Sequence, residues 1–398
     1  MFILMYKLIV HKEKGRTQSM KKRILALLLA GILVFALAGC GAKEDVKEDV
    51  PEEVATTDDT KEEVKEEVAA DVKEEVKEEV AAEADFSVAL VTDTGGIDDK
   101  SFNQGTWEGI VRFAEDTGAD SVFAQSNSDA DYIPNLSTFA EGGHDLIVAP
   151  GFLFGDAISE VANNFPDQQF LIIDMVVGER PNVASAVFAE EQGSFLVGVA
   201  AGKAAMDAGK TTVGFIGGGD FDLIQKFEAG YEAGVAAVSA DIEVLVDYVG
   251  DFVDAGKGQT IASKMYDAGA YVVYHAAGGA GNGLIKEAKD RRTNGEDVWA
   301  IGVDKDQYED GIYEGTKSAI LTSMMKRVDV AAYSVSEMAM KGEFPGGEIL
   351  AFTLANGGVS LPPSNPNLSD EIIALVAEFE AKIVSEEITV PLVPTRLQ

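Results

Sequence analysis

From Asp85 onward, short apolar runs alternate with longer amphipathic segments, and this alternation restricts the fold more than any other feature of the chain. Short, partly β-branched apolar runs are typical of strands buried in a parallel sheet, and the amphipathic segments are typical of covering helices. The pattern therefore predicts an α/β fold of doubly wound parallel sheets. The predicted strands are Ser87–Val91, Ser121–Gln125, Leu146–Ala149, Gln169–Ile173, Val183–Phe188, Thr212–Ile216, Glu243–Tyr248, Tyr271–Tyr274 and Val298–Val303.

The length of the chain indicates more than one folding unit. Of its 398 residues, the first 85 do not resemble a globular domain, which leaves a little over 300 for folding. That length exceeds what one hydrophobic core comfortably holds, so we predict two lobes. The Gly- and Ala-rich segment Glu191–Gly209 opens the second set of strands, and we therefore expect the first crossing between lobes near residues 188–192.

The N-terminal segment has the organisation of a bacterial lipoprotein signal. The basic stretch Met20–Arg23 precedes the apolar core Ile24–Leu37, and small residues then lead to Cys40, the only cysteine. We interpret residues 1–39 as a signal peptide, with Met20 as the expected start, and Cys40 as the site of lipid attachment. A transmembrane helix is the alternative, but the uncharged run is shorter than the roughly 18–20 residues that span a bilayer.

Residues 41–84 are dominated by KEEV repeats. The segment has 18 acidic and six basic residues, a net charge of −12, which is one third of the formal charge of −36. Valine at every fourth position from 64 to 80 would form a narrow stripe on a helix, as a tethered coiled coil requires. The alternative, a solvated spacer that holds the folded domain away from an anionic membrane surface, is favoured by the acidity.

Charge and composition exclude several classes of function. The net charge of −36 and the lack of a basic stripe in residues 86–398 argue against a nucleic-acid partner. The only histidines after residue 85 are His144 and His275, and no cysteine is present there, so neither a thiolate nucleophile nor a metal site is recognisable. The glycine-rich stretches lack the spacing of a P-loop. We therefore expect no metal, no cofactor and no catalysis.

A polar turn containing glycine follows the first predicted strand. Thr92–Lys100 supplies hydroxyls, carboxylates and amides on a backbone loosened by two glycines, and Ser101 is suited to cap the following helix. Because ligands bind at the carboxyl ends of strands in open α/β sheets, this turn is a candidate site. An ordinary βα connection is the alternative, and Phe102 with Asn103 at the helix start favours binding.

Aromatic and acidic residues follow several other predicted strands. Two rings can stack on opposite faces of an aromatic base, carboxylates can accept its N–H and sugar O–H groups, and a lysine can donate to it. Each residue alone could be an ordinary core or surface residue, but their shared position at strand ends indicates a site for an uncharged polar ligand. The predicted ligand-binding residues are Asp93, Ser101, Phe102, Asn103, Gly151, Phe152, Asp174, Tyr274, Gly278, Gly279, Asp304 and Lys326.

Seven motifs in order resemble those of the basic membrane protein family of lipoproteins, whose best understood members are purine nucleoside receptors of ABC importers. The motifs span nearly all of residues 86–360 and are Val88–Gly109, Asp174 in LIID, Gly214–Gly218, Phe227–Gly230, Gly278–Gly283, Gly302–Gln307 and Thr322–Lys326. The resemblance implies a bilobed, type I periplasmic-binding fold with a hinge. It implies that residues 86–190 and 323–345 form the first lobe and that residues 191–322 and 346–398 form the second.

The resemblance also implies roles for individual residues. Asp93 and Phe102 would hold the base, Tyr274 would supply the second stacking ring, and Asp304 and Lys326 would bind the ribose. The protein would be a lipid-anchored monomer on the extracytoplasmic face of the cell membrane. It would capture guanosine, inosine or adenosine and deliver it to an ABC permease and its ATPase. The alternatives are a ligand sensor for a membrane receptor, which would share the cleft, and a nucleoside hydrolase, which would need an acid–base pair or a metal.

Overall fold

The computed structural model of the chain describes residues 85–398. The expected signal peptide, the lipidation site Cys40 and the acidic linker lie outside these residues. In chain order the strands are β1 (Ser87–Thr92), β2 (Asp120–Gln125), β3 (Leu146–Pro150), β4 (Gln169–Ile173), β5 (Val183–Phe188), β6 (Thr212–Gly217), β7 (Glu243–Tyr248), β8 (Val272–Ala276), β9 (Trp299–Asp304), β10 (Ile312–Glu314), β11 (Lys317–Ser318), β12 (Ile320–Lys326), β13 (Ile349–Phe352) and β14 (Val359–Ser360). The α-helices are α1 (Phe102–Thr117), α2 (Tyr132–Gly142), α3 (Gly155–Asn164), α4 (Glu190–Asp207), α5 (Asp222–Val238), α6 (Ala255–Asp267), α7 (Asn282–Thr293), α8 (Val328–Met340) and α9 (Asp370–Val384).

Two six-stranded sheets organise these elements into two lobes. The first lobe contains a fully parallel sheet of order β13-β5-β4-β3-β1-β2. The second contains a sheet of order β14-β12-β9-β8-β6-β7, in which β14 runs antiparallel to β12. Strands and helices alternate along the chain, as parallel pairing requires. The predicted α/β class with two predominantly parallel sheets is confirmed.

The central strands are buried along their whole length because helices cover both faces of each sheet. Every residue of β3 and of β8 is buried, so these strands lack the alternation of a half-exposed strand. None of the helices between residues 85 and 398 is long and apolar enough to cross a membrane.

Helices α4 and α5 pack closely because glycines lie where they cross. A Cβ atom on Gly234 would lie 2.1 Å from the carbonyl oxygen of Phe195, and one on Gly230 would lie 2.2 Å from that of Glu191. Any side chain at these positions would push the two backbones apart. The first turn of α4, which contains Glu191, is therefore held directly against α5.

The chain passes between the lobes three times within the described residues. It leaves the first lobe between Phe188, the last residue of β5, and Glu190, the first residue of α4. It returns after Lys326, because α8 packs against α1 so closely that a Cβ on Gly109 would lie 2.3 Å from the carbonyl oxygen of Asp329. It leaves again after β13.

Strand pairing changes two of the expected lobe boundaries. Residues 323–326 complete β12 in the second lobe, where Ser323 and Met324 pair with β9, although we expected residues 323–345 in the first lobe. Residues 349–352 form β13, which pairs with β5 in the first lobe and not in the second. Strand β13 is an apolar run of only four residues at the half-exposed edge of the sheet, and its sequence does not show that its partner is β5.

The close crossing of α4 and α5 makes Gly234→Ala a sensitive test of the packing. We expect a loss of about 2–3 kcal/mol in the free energy of unfolding, measured by urea denaturation, because the added methyl group would overlap the backbone of Phe195. Gly142→Ala is the control, since a Cβ there would come no closer than 3.5 Å to His144. At that exposed end of α2, alanine should be neutral or stabilise by up to about 1 kcal/mol. Equal effects of the two substitutions would contradict the role of the crossing glycines.

Candidate functional site

The candidate site is a cleft between the carboxyl ends of the two sheets. In each sheet the strand order reverses at a neighbouring pair, β1 and β3 in the first lobe and β6 and β8 in the second. Such a reversal opens a crevice at the strand ends, where ligands bind in open α/β sheets. The cleft contains about 640 Å³ of empty space, including the part open to solvent. This volume is in the range of about 300–1,000 Å³ that is usual for small-molecule sites.

Most of the residues selected from the sequence lie together on this cleft. The residues that line it are Asp93, Phe102, Asn103, Gly151, Phe152, Asp174, Gly278, Gly279, Asp304 and Lys326. Ser101 and Tyr274 are the two selected residues that do not line it. The folded chain thus brings together residues from both lobes that are separated by more than 200 positions in the sequence.

Asp99, rather than Ser101, caps helix α1. Its carboxylate accepts hydrogen bonds from the backbone N–H groups of Ser101 (2.9 Å), Asn103 (2.9 Å) and Gln104 (3.0 Å). These are the amide groups that a helix start leaves unpaired, and a negative charge there is favourable. Ser101 stands at the expected capping position, but its hydroxyl makes no cap bond and donates instead to Asp304 in the second lobe.

Asp93 and Asn103 form a fixed polar pair at the end of β1. The Asn103 side-chain amide and the Gly95 backbone N–H both donate to Oδ1 of Asp93, at 2.8 and 2.9 Å. Burial raises the pKa of the Asp93 carboxyl, and these two hydrogen bonds oppose the shift. Oδ1 of Asn103 is buried and has no hydrogen-bond partner in residues 85–398. Leaving a buried acceptor without a hydrogen bond costs free energy, so a ligand that donates to this oxygen would gain binding free energy.

Asp174 and Asp304 turn the chain sharply at two strand ends. Their φ angles are 67° and 65°, in the left-handed region that Asp tolerates better than most residues and that is enriched at functional sites. Oδ1 of Asp174 is a second buried acceptor without a partner among the described residues. Burial raises the pKa of Asp304 to about 6, against the opposing effects of Lys326 and of the Ser101 hydroxyl.

Lys326 is the only lysine among the described residues that line the cleft. Its Nζ lies 2.5 Å from Oδ2 of Asp174 and 3.3 Å from Oε1 of Glu190. Three rings surround the ammonium group, with centroids at 5.1 Å for Phe102 and Phe188 and 5.4 Å for Phe227. Burial disfavours the charged form, but the surrounding carboxylates outweigh this effect and raise the pKa of Lys326 to about 12. The lysine is therefore charged throughout the physiological range.

Aromatic rings from the two lobes meet across the cleft. The Phe152 ring of the first lobe lies 5.3 Å from Phe221 and 6.2 Å from Phe252 of the second, measured between centroids. Phe152 and Phe252 both line the cleft. Residues 85–398 contain no group of three or more His, Cys, Asp or Glu side chains arranged to hold a metal ion. The chemistry that the cleft offers is stacking, hydrogen-bond acceptance and one cationic donor.

Comparison with known proteins shows which family the chain belongs to. Residues 86–393 match the Bmp family, described as ABC transporter substrate-binding protein PnrA-like. The chain belongs to the Bmp family. This result confirms the resemblance found in the sequence motifs.

Relatives and solved structures agree with the Bmp assignment. The chain is 43% identical over 318 residues to a CD4+ T-cell-stimulating antigen of Listeria monocytogenes, covering 77% of this chain and 88% of the relative. It is 40% identical over 321 residues to the ABC transporter nucleoside-binding protein BmpA of Lactococcus lactis subsp. cremoris, covering 78% and 90%. A solute-binding protein of an ABC transporter system from Aeropyrum pernix K1 superposes with a TM-score of 0.69 at 29% identity, covering 77% and 94%. These similarities confirm the periplasmic-binding-protein-like fold.

Membership in the Bmp family establishes the general role. The protein is an extracytoplasmic substrate-binding protein of an ABC transporter, and the family is one of binding proteins and not of enzymes. The prediction of a binder without catalytic activity is confirmed in this way.

Tyr274 lies in the core of the second lobe and not in the cleft. The side chain of Tyr274, in β8, is fully buried. The centroid of its ring lies 5.6 Å from that of Phe215 and 5.3 Å from that of Tyr231. Its hydroxyl lies 3.2 Å from that of Ser194 on α4. The ring therefore packs against the face of the sheet that α4 and α5 cover, and the second stacking role expected from the Bmp resemblance is wrong for this residue.

Several lining residues were absent from the sequence-based selection. Phe252 follows β7, which was predicted as a strand, so the rule that selects strand ends would have found it. Phe227 lies within the Phe227–Gly230 motif, which pointed to a family but not to a role. Asp99 belongs to the candidate turn Thr92–Lys100 but is not one of the individually selected residues, and the structure shows that it is buried. Nothing in the sequence distinguishes the buried Glu190 from the half-buried Glu191 that follows it.

Proposed function

We propose that this Bmp-family protein captures a purine nucleoside, such as guanosine, inosine or adenosine, in the cleft between its lobes. It delivers the nucleoside to an ABC permease and its ATPase, and it is anchored to the membrane as a lipidated monomer. The observation that carries the proposal is that two buried acceptors without partners, on Asn103 and Asp174, line the same cleft as aromatic rings from both lobes.

The base is assigned to the end of the cleft near β1. Phe102 of the first lobe and Phe252 of the second supply the aromatic surfaces for the two faces of the base. Oδ1 of Asn103 and the carboxylate of Asp93 accept hydrogen bonds from the N–H groups of the base edge. Both hydrogen bonds that the Asp93 carboxylate accepts within the described residues end on Oδ1, which leaves Oδ2 for the ligand.

The sugar is assigned to the group around Lys326. Ribose hydroxyls are both donors and acceptors, which suits two carboxylates beside an ammonium group. Asp174 and Asp304 accept from the hydroxyls, and Lys326 donates to them. The relative from Lactococcus lactis, whose name describes it as nucleoside-binding, supports this ligand class. Contacts from both lobes to one ligand would stabilise the closed form over an open one.

Lipid attachment through Cys40 has a direct test. Cys40→Ser should leave the folded domain unchanged and move the protein from the membrane to the soluble fraction, because Cys40 is the only cysteine in the chain. Membrane fractionation after a high-salt wash provides the measurement, with a serine substitution elsewhere in the linker, Thr56→Ser, as the control. If the variant still sediments with membranes, the N-terminal segment spans the membrane and the lipidation proposal is wrong.

The charge of the cleft predicts its preference between nucleosides and nucleotides. Asp93, Asp99, Asp174 and Asp304 line the cleft against the single lysine Lys326, so a phosphate would meet uncompensated carboxylates. Calorimetry on the full chain should therefore show that guanosine binds more tightly than guanosine monophosphate. Equal or tighter binding of the monophosphate would refute this ligand class, and binding of ribose alone would indicate a sugar receptor.

Aromatic substitutions test which rings contact the base. Phe102→Ala and Phe252→Ala should each weaken guanosine binding by about ten- to a hundredfold, since stacking on a base is worth roughly 1–3 kcal/mol per ring. Tyr274→Phe is the matched control and should leave affinity unchanged, because Tyr274 packs in the core. Titration calorimetry measures the guanosine affinity of the three variants. Wild-type binding by a folded Phe252→Ala variant would refute the assignment of Phe252 as the second stacking ring.

A further inference from the structure

Glu190 is a buried carboxylate that does not line the cleft and yet reaches the lysine that does. It is the first residue of α4, directly after the first crossing between lobes, and its side chain is 1% exposed. Oε1 lies 3.3 Å from Nζ of Lys326, and Oε2 lies 3.6 Å from Nζ of Lys226 on α5. Neither oxygen has a hydrogen-bond partner in the described part of the chain. Glu190 therefore connects the cleft to a half-exposed lysine behind it.

The position of Glu190 is fixed by the backbone and not by its own side-chain contacts. The next residue, Glu191, lies under Gly230 of α5, where no Cβ fits. This close packing holds the backbone of the first turn of α4, and with it the backbone of Glu190, in place beside Lys326.

The stability of the fold does not account for a charge at this place. Removing a carboxylate from water costs several kcal/mol, and a buried ion pair is often no more stabilising than apolar residues of the same volume. Lys326 already has a closer partner in Asp174, at 2.5 Å. A second buried carboxylate at 3.3 Å adds cost, which points to a role in what Lys326 does.

We propose that Glu190 is a positioning residue for ligand binding: its carboxylate orients the Lys326 ammonium group so that one N–H remains directed to the ligand. This inference rests on the proposed nucleoside function. The ammonium group has three N–H donors. Asp174 takes the first and Glu190 attracts the second, which leaves the third for a sugar hydroxyl. Without the charge on Glu190, the ammonium group turns toward Asp174, whose Oδ1 is still unpaired.

The proposal makes ligand binding depend on pH. The charged and titratable groups that face Glu190 are Lys326 from β12, Asp174 after β4, Lys226 from α5 and the Tyr274 hydroxyl from β8. Burial raises the pKa of Glu190 to about 7; the two lysines oppose the shift and Asp174 adds to it. The competent, ionised form is therefore lost as the pH falls through 7, and affinity is lost with it.

The sign and size of the effect follow from the fraction of Glu190 that is ionised. For a group with a pKa of about 7, that fraction falls by about tenfold between pH 8 and pH 6. Asp304, with a pKa of about 6, is half protonated at pH 6 and contributes up to about a further twofold change over the same window. Ionisation of Glu190 in the complex also means that ligand binding near pH 7 releases protons.

The test compares guanosine affinity of the full-length protein by calorimetry from pH 5.5 to pH 8.5. Wild-type affinity should rise about tenfold from pH 6 to pH 8. Glu190→Gln should bind about tenfold more weakly than wild type at pH 8, and between pH 6 and pH 8 its affinity should change by no more than the roughly twofold that Asp304 contributes. Glu191→Gln is the matched control at the next position and should follow the wild-type profile, since Glu191 contacts neither lysine of the group.

Proton release gives a second measurement that needs no variant. The binding enthalpy of the wild type is measured at pH 7 in two buffers of different ionisation enthalpy. The difference should report release of a fraction of a proton. Thermal unfolding separately shows whether Glu190→Gln is folded. Wild-type affinity and pH profile in a folded Glu190→Gln variant, or no proton release by the wild type, would overturn the proposal. Absence of binding of guanosine, inosine and adenosine by the wild type at every pH would instead overturn the nucleoside function itself.

Discussion

The buried ammonium group of Lys326 is the interaction on which the rest of the cleft depends. It lies at the end of β12, where the chain returns to the first lobe, and it pairs there with Asp174 of that lobe. A lysine buried in this way is stable only with charged partners and polarisable rings around it. Three aromatic rings and the nearby carboxylates meet both needs. The same group thus connects the lobes and offers a donor to a ligand.

The topology of the two sheets explains why the partners of Lys326 are available. In a parallel sheet all strand ends of one kind lie on one edge, and the reversal of strand order opens that edge between neighbouring loops. Both lobes carry this reversal, and their open edges face each other across the cleft. Residues as distant in sequence as Ser101 and Asp304 therefore form a direct hydrogen bond. Function-bearing side chains lie at strand ends, at helix starts or on the short loops between them, while the buried strands supply rigidity.

The sequence predicts which strand ends face the cleft better than it predicts which side chains reach it. Val88–Val91 followed by Asp93 is recognisable because a buried apolar run ends in polar residues. Tyr274 also lies near the end of an apolar run. Successive side chains of β8 point to opposite faces of the sheet, so nearness to the strand end does not decide whether a side chain reaches the cleft. Since every residue of β8 is buried, no polar alternation in the sequence shows which face is which. The lobe boundary at β13 fails for a related reason, because edge-strand pairing depends on a distant partner, β5.

The contacts already present between the lobes set a limit on what a ligand can do. Asp174 with Lys326 and Ser101 with Asp304 join the lobes by direct side-chain contacts. A ligand shifts the balance between open and closed forms only by the difference in its affinity for them. Contacts to one lobe contribute equally to both forms, so closure has to come from a ligand that contacts groups of both lobes, such as Phe102 of the first and Phe252 of the second, which both line the cleft. The unpaired acceptors on Asn103 and Asp174 add to this difference, because the cost of leaving them buried is removed only when a donor occupies the closed cleft.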